Sequence, residues 1–337
     1  MCGRTACTLN PDDVSRSCRY KRKNGCKKNP KWVKNKDKYY PSHNKAPQSY
    51  SPILLNGNHF LNAGNDCPYV SGDDERVLCA MRWGLIPKWF KGGNVDKVNY
   101  SMNNARSDTM LEKKSYKIPL QKGQRCVLVV EGFYEWHTSS AGKQPYYIYF
   151  PDKDSDEPSS DPEDDQNENQ PPTRLITMAG IFEKTLYENE DFYSFTVITV
   201  DADPSFSWLH HRMPAVLAND DEIDKWLDYE NVPLDKALEL IKPKNCLKWH
   251  PVSSFVNNSR NHGPECWKEI NLDEIKTSTP TKYKQESKSM MQWLSTAKSS
   301  PSKQASVEQP SPSKAKHKVT AGAMDRFVKK AKRESHE

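Results

Sequence analysis

Residues 152–172 read DKDSDEPSSDPEDDQNENQPP, with four prolines, no apolar side chain and a net charge of −8. Such a stretch cannot bury a core, so it reads as a disordered insertion. Strand-like segments rich in β-branched and aromatic residues stand on both sides of it: Arg125–Trp136, Pro145–Phe150, Thr177–Phe182 and Ser194–Val200. A fifth is Arg76–Ile86. Two short helices are predicted, Asp220–Tyr229 behind an Asn219 cap and Leu234–Ile241. Strands outnumber helices and do not alternate with them. The expected fold is therefore α+β, a single domain with a curved, mostly antiparallel β-sheet or barrel-like core and flanking short helices.

Hydrophobic residues make up 35% and charged residues 28% of the 337 residues, too polar a balance for a chain folded throughout. Residues 276–337, rich in Lys, Ser, Pro and Gln with a net charge of +9, read as a basic disordered tail behind a domain of residues 2–272. The rest of the body is mildly basic, at +5, which fits a polyanionic partner as well as it fits a plain soluble surface. No apolar run approaches the ~18–20 residues of a membrane span, so no membrane partner is expected. Arg4, Asp12 and Asp13 rule out a signal peptide, since no apolar stretch follows them. The nine cysteines contain no C-x-x-C pair, which predicts thiols in a reducing compartment and no zinc site.

Five motifs concentrate Cys, Arg, Trp, Glu, His and Asn: MCGR at the start, MRWGLIP at 81–87, NNARSD at 103–108, GFYEW at 132–136 and HHRMP at 210–214. Singly, each has a plain structural reading. Glu135 can face outward from a strand, His210 and His211 can sit in a turn, and Asn104 can cap one. Cys2 can be a chance second residue. Yet loss of Met1 would leave Cys2 with two nucleophiles on adjacent carbons, a thiol and a free α-amine, which no internal cysteine has.

The joint occurrence of MCGRT, PSHNKAPQ, MRWGLIPKWF, NARSDT, GFYEW, TMAGIF, HHRMPA and HPVSSFVNNSRN, in this order, resembles the SOS-response-associated peptidase (SRAP) family over about residues 2–272, apart from the acidic insertion. The resemblance implies a sensor of abasic sites in single-stranded DNA, acting at replication forks on the chromosome in the nucleus. It bonds covalently to the lesion through its terminal cysteine, shields the strand, and carries a peptidase activity that frees its own N-terminus. The expected catalytic residues are Cys2, Asn104, Glu135 and His210, with no cofactor and no metal.

An abasic sugar interconverts between a closed ring and an open aldehyde. The Cys2 amine, with an ordinary pKa of ~7.7–8.0, keeps a neutral fraction near pH 7 and can form an imine with that aldehyde. The thiol can then close intramolecularly to a five-membered thiazolidine, removing the imine before β-elimination breaks the strand. The resemblance gives Glu135 the protonation of the sugar ring oxygen and His210 the proton traffic on the opened hydroxyl. Asn104 would hold the Cys2 backbone or the sugar. His211 and Trp83 read as structural.

Arg4, Arg82, Arg106 and Arg212 lie in the matched motifs and are the expected phosphate contacts. Trp89 is a candidate for stacking beside the lesion, and Asn44 and Pro47 for lining the same groove. In the tail, AGAMDRFV at 321–328 resembles a degenerate binding box for the replication sliding clamp PCNA, with Met324, Phe327 and Val328 as its contacts and Ala321 in place of the usual glutamine. A monomer is expected. Two other functions compete: a thiol peptidase acting in trans, and a non-covalent reader of modified bases in DNA.

Overall fold

The computed structural model describes residues 3–22, 24–61, 75–90, 95, 102–140, 142–151 and 174–273. The acidic run, the tail with Met324, Phe327 and Val328, and Cys2 lie outside the described residues. The chain divides into two units, residues 1–277 and 278–337, and every described residue lies in the first.

The elements run β1 (Thr5–Cys7), α1 (Pro11–Ser17), β2 (Tyr20–Lys21), β3 (Lys27–Lys28), β4 (Lys31–Lys34), β5 (Ser42–Lys45), β6 (Tyr50–Asn56), α2 (Asn58–Leu61), β7 (Arg76–Trp83) and β8 (Asn104–Arg106). There follow α3 (Lys114–Gln121), β9 (Arg125–Val130), β10 (Gly132–Ser139), β11 (Gly142–Tyr149), β12 (Ile176–Tyr187), β13 (Glu190–Asp201), β14 (Arg212–Pro214), α4 (Asp220–Leu227), α5 (Leu234–Leu238) and β15 (Lys248–Pro251).

Strands β7, β6, β9, β12 and β13 close into a barrel. Each is antiparallel to the next until β13 meets β7 in parallel, with Ser194 opposite Arg82 and Phe195 opposite Trp83. Every residue of β7 and β9 is buried, as strands covered on both faces must be. Trp83, fully buried and stacked on Phe195, is core, and its indole N–H donates to the Asn103 carbonyl at 3.0 Å.

A second sheet, in the order β15-β11-β10-β1-β5, leans on the barrel. The sequence predicts one strand over Arg125–Trp136. The structure breaks it at Glu131, where the chain leaves the barrel for the second sheet. Glu131 is buried. Its carboxylate accepts from the backbone N–H and, at 2.8 Å, the hydroxyl of Thr8, and its own N–H donates to the Ala6 carbonyl at 3.0 Å. One strand thus feeds two sheets, with a hydrogen-bonded carboxylate at the corner.

The predicted helices form but end early, at Leu227 and Leu238. The Asn219 side chain caps α4 by accepting from Glu222 N–H at 3.0 Å. No disulfide joins the seven described cysteines. Among the described residues no group of three or more His, Cys, Asp or Glu can hold a metal, and no helix is long and apolar enough to cross a membrane.

Candidate functional site

The site is set by the alternation of β10. Gly132, Tyr134 and Trp136 face one way, and Phe133, Glu135 and His137 the other. Tyr134 joins a small cluster with Ala6, Tyr147, Val252, Val256 and Cys266. The opposite face is covered by the segment 203–211, which follows β13. Phe206 packs on Phe133 with ring centroids 6.3 Å apart, and Trp208 packs edge-on against His137 at 5.4 Å and Tyr146 at 5.0 Å. Tyr146 is the cross-strand partner of Glu135. His210 ends this segment, held by its N–H to the Phe206 carbonyl at 3.3 Å.

Glu135 is buried at 3% exposure, and its charge acts on His210. The His210 pKa is lowered, first by burial, with Glu135 opposing the shift, so the ring is neutral near pH 7. Arg212 N–H donates to His210 Nδ1 at 3.0 Å. The Arg212 carbonyl lies 3.1 Å from the same nitrogen, so the Arg212 backbone orients the ring. His211 stacks on His210 at 4.4 Å. A buried carboxyl group and a neutral imidazole thus lie within electrostatic reach of one another, a pair of groups able to accept and return protons.

The N-terminus arrives at the same strand. β1 pairs antiparallel with β10, Thr5 opposite Phe133, and Tyr134 N–H donates to the Arg4 carbonyl at 2.9 Å. The same register carries Gly3 toward Glu135. Gly132 makes the strand approach possible, because a Cβ there would lie 2.3 Å from the Tyr147 ring. Asn104 opens β8, which runs parallel to β13 with Asn104 opposite Val197 and Arg106 opposite Thr199. Thr199 also pairs with Pro214 of β14. The Asn104 and His210 segments therefore flank the same end of β13.

Several of the expected DNA contacts are buried and bonded within the fold. Arg82 is buried, with its guanidinium on the Gly84 and Val95 carbonyls at 3.5 and 3.3 Å. Gly84 beside it needs glycine, since φ is +115° and a Cβ would meet Asn103 Oδ1 at 3.0 Å. Arg212 is 1% exposed and donates to Asp201 at 2.6 Å and to the Thr199 carbonyl at 2.5 Å. Asn44 is buried, and its side-chain amide donates to the carbonyls of Val256, Asn258 and Asn261. These three side chains hold the site's frame through buried hydrogen bonds. An arginine that grips carbonyls and one that grips phosphate look alike in sequence.

Three candidates remain accessible, and Arg4 sits between the two groups. Arg106 is exposed and paired in a fork with Asp108 at 2.6 and 3.1 Å. Trp89 is exposed in a turn closed by Phe90 N–H on the Pro87 carbonyl at 2.9 Å. Pro47 is half-buried in the turn after β5, where Gln48 N–H donates to the Trp83 carbonyl at 2.8 Å. Arg4 donates to Asn44 Oδ1 and the Val256 carbonyl and lies 5.8 Å over Trp136. Sequence reading missed Trp208, Tyr146 and His137, which wall the cleft beside Glu135. The one signal was a tryptophan two residues before His210.

The family model for SOS response associated peptidase (SRAP) matches residues 1–259. The chain is 45% identical to the abasic site processing protein HMCES of Xenopus tropicalis, over 98% of this chain and 96% of that one. It is 40% identical to HMCES of Mus musculus, over 98% and 97%. It is 30% identical to the abasic site processing protein YoqW of Bacillus subtilis (strain 168), over 67% and 85%. A solved structure from Bacteroides thetaiotaomicron shares the fold with a TM-score of 0.56 at 22% identity, covering 80% of this chain and all of that one. The chain belongs to the SOS response associated peptidase family.

Proposed function

We propose that this protein processes abasic sites in single-stranded DNA by capturing them covalently on Cys2. The observation that carries the reading is the β1–β10 pairing, which sets Arg4 and Thr5 against the strand that holds buried Glu135 near His210. Relatives 39–45% identical over most of the chain are named abasic site processing proteins, which supports abasic DNA as the substrate.

The steps balance on these residues. Glu135 gives a proton to the ring oxygen while the anomeric hydroxyl loses its own to water, the C1–O ring bond breaks and the sugar opens to its aldehyde. His210 takes or returns the proton of the liberated hydroxyl. The Cys2 amine adds to the aldehyde carbon and expels one water, giving the imine. The thiol sulfur then adds to that carbon, its proton passes to nitrogen, and the thiazolidine closes. A mostly neutral His210 suits proton acceptance at neutral pH.

The test is a denaturing gel of the protein mixed with an abasic or an intact single-stranded oligonucleotide. A shifted band with abasic DNA only, absent in Cys2→Ala, is the expected result. A Cys2→Ala variant that still gives the band would end the reading. The family's name as a peptidase supports a second activity, in which the same cysteine would cleave a peptide bond with His210 as base. Release of Met1 from a Met1-retaining chain, without added aminopeptidase, tests it. Recruitment by the sliding clamp through Met324, Phe327 and Val328, in the nucleus, belongs to the same proposal. Deletion of 321–337 with clamp binding unchanged would remove that part.

A further inference from the structure

We propose that the β2–β3 hairpin and β4 form a second phosphate-binding surface, apart from the Glu135–His210 cleft, which takes the sugar–phosphate backbone of DNA flanking the lesion. The identity of the polyanion rests on the abasic-DNA reading above.

The argument begins with where the charge sits. Residues 16–38 carry eleven Lys or Arg against one acid, Asp37, for a net of +10. The whole chain is only +6, the acidic run is −8 and residues 276–337 are +9. What is left of the body therefore sums to −5. Its mild positive balance is the work of this one segment, and elsewhere its net charge repels a polyanion.

The segment is anchored as a strip. Tyr20 and Lys21 pair with Lys28 and Lys27, and the turn is closed by Arg22 N–H on the Cys26 carbonyl at 2.9 Å. Tyr20 is buried, 4.8 Å under the Arg76 guanidinium, and its hydroxyl accepts from Arg76 N–H at 3.2 Å, so the hairpin is fixed to the barrel. Arg16, Arg19, Lys27 and Asn29 line an open recess. β4 then runs parallel to β7 along the barrel wall, and Lys38 ends the run 5.7 Å from the Tyr50 ring, opposite Arg82.

Among the described residues, Asp13 pairs with Arg16, Asp12 with Lys36 at 2.8 Å, and Glu75 lies 3.8 Å from Arg22. With those acids included, the sum is still +7. Lys21, Lys27, Lys31, Lys36 and Lys38 are exposed. Among the described residues, the recess is lined by cations and an amide, without an aromatic ring to stack a base. The chemistry is that of backbone phosphates, indifferent to sequence.

The test is fluorescence anisotropy with an intact single-stranded oligonucleotide across a salt series, comparing the full chain with its Arg19→Gln/Lys21→Gln/Lys27→Gln variant. The expected result is roughly ten-fold or greater loss of affinity at low salt, and a slope of log K against log salt shallower by about 2. Unchanged affinity and slope overturn the proposal. So does a variant that binds DNA normally but loses binding to phosphatidylserine vesicles or to polyglutamate, which would assign the strip to another partner. An unchanged thermal midpoint shows that the variant folds. If it does not fold, Lys21→Glu and Lys27→Glu singly, both at exposed positions, give the same readout. Because the probe carries no lesion, failure of the wild type to capture abasic DNA would overturn the reading it rests on without touching this result.

Discussion

Arg4 Nη1 donates to Asn44 Oδ1 at 2.7 Å, and the bond ties the start of the chain to the loop at 256–261. Asn44 satisfies three backbone carbonyls while it orients the guanidinium. Asn44→Ala takes a donor from those carbonyls, of which Val256 keeps Arg4, and the expected loss is about 1–3 kcal/mol of stability, read by urea unfolding. DNA capture should fall with it, because Arg4 loses its orientation. Capture reduced with stability untouched would instead make Asn44 a direct DNA contact.

Arg212 separates two roles in the same way. Its guanidinium is buried on Asp201 and the Thr199 carbonyl, two residues after His210. Arg212→Ala should cost about 3 kcal/mol and displace His210, lowering the rate of capture. A phosphate contact would behave differently, weakening DNA binding in a salt-dependent way with the melting temperature unchanged.

Gly132→Ala places a methyl group 2.3 Å from the Tyr147 ring. The strands β10 and β11 must part or the ring must leave its cluster, at a cost of about 2 kcal/mol or more. Thermal melting measures it. Gly132→Ala with Tyr147→Ala should recover part of the loss, since the clash is with that ring.

The order of the strands in sequence made part of this fold legible. β9, β12 and β13 announce themselves through valine, isoleucine and aromatic residues. β6 was hidden by Pro52 and α3 by Pro119, since proline argues against both elements while the folded chain accommodates it. Helix α1 carried a complete start signal, with Asn10 accepting from Asp12 and Asp13 N–H and Pro11 following. It was passed over because only seven residues follow. The break at Glu131 had no local cue, because its cause is Thr8, more than a hundred positions away. For the site, residue type was enough to nominate Glu135 and His210. Which arginines face solvent depends on burial, and burial follows from the barrel's closure.

His59 gives the fold a pH dependence. It stacks on Tyr229 at 4.4 Å and meets Phe182 edge-on, and burial pushes its pKa down to about 4. Because the folded value lies below the unfolded value of ~6.5, the unfolded chain takes up the proton first as pH falls. The stability His59 contributes is therefore complete above ~6.5 and lost progressively down to about 4, by about 3 kcal/mol in all. His59→Phe should flatten the unfolding free energy between pH 6.5 and 4. An unchanged slope would place the titration elsewhere.

Glu135→Gln and His210→Ala should each slow capture by roughly 10²–10⁴-fold while leaving affinity for intact DNA unchanged, since both act on protons and not on phosphate. Single-turnover rates with abasic oligonucleotide measure this. Equal losses of affinity and rate would make them binding groups.

The most direct measurement is the intact mass of the protein after reaction with abasic single-stranded DNA, followed by peptide mapping of the linked residue. The expected species lacks Met1, carries the oligonucleotide less one water, and is joined at Cys2 through both nitrogen and sulfur, so it needs no reductant to persist. An adduct on an internal lysine, or on a chain that still begins with Met1, would contradict the account.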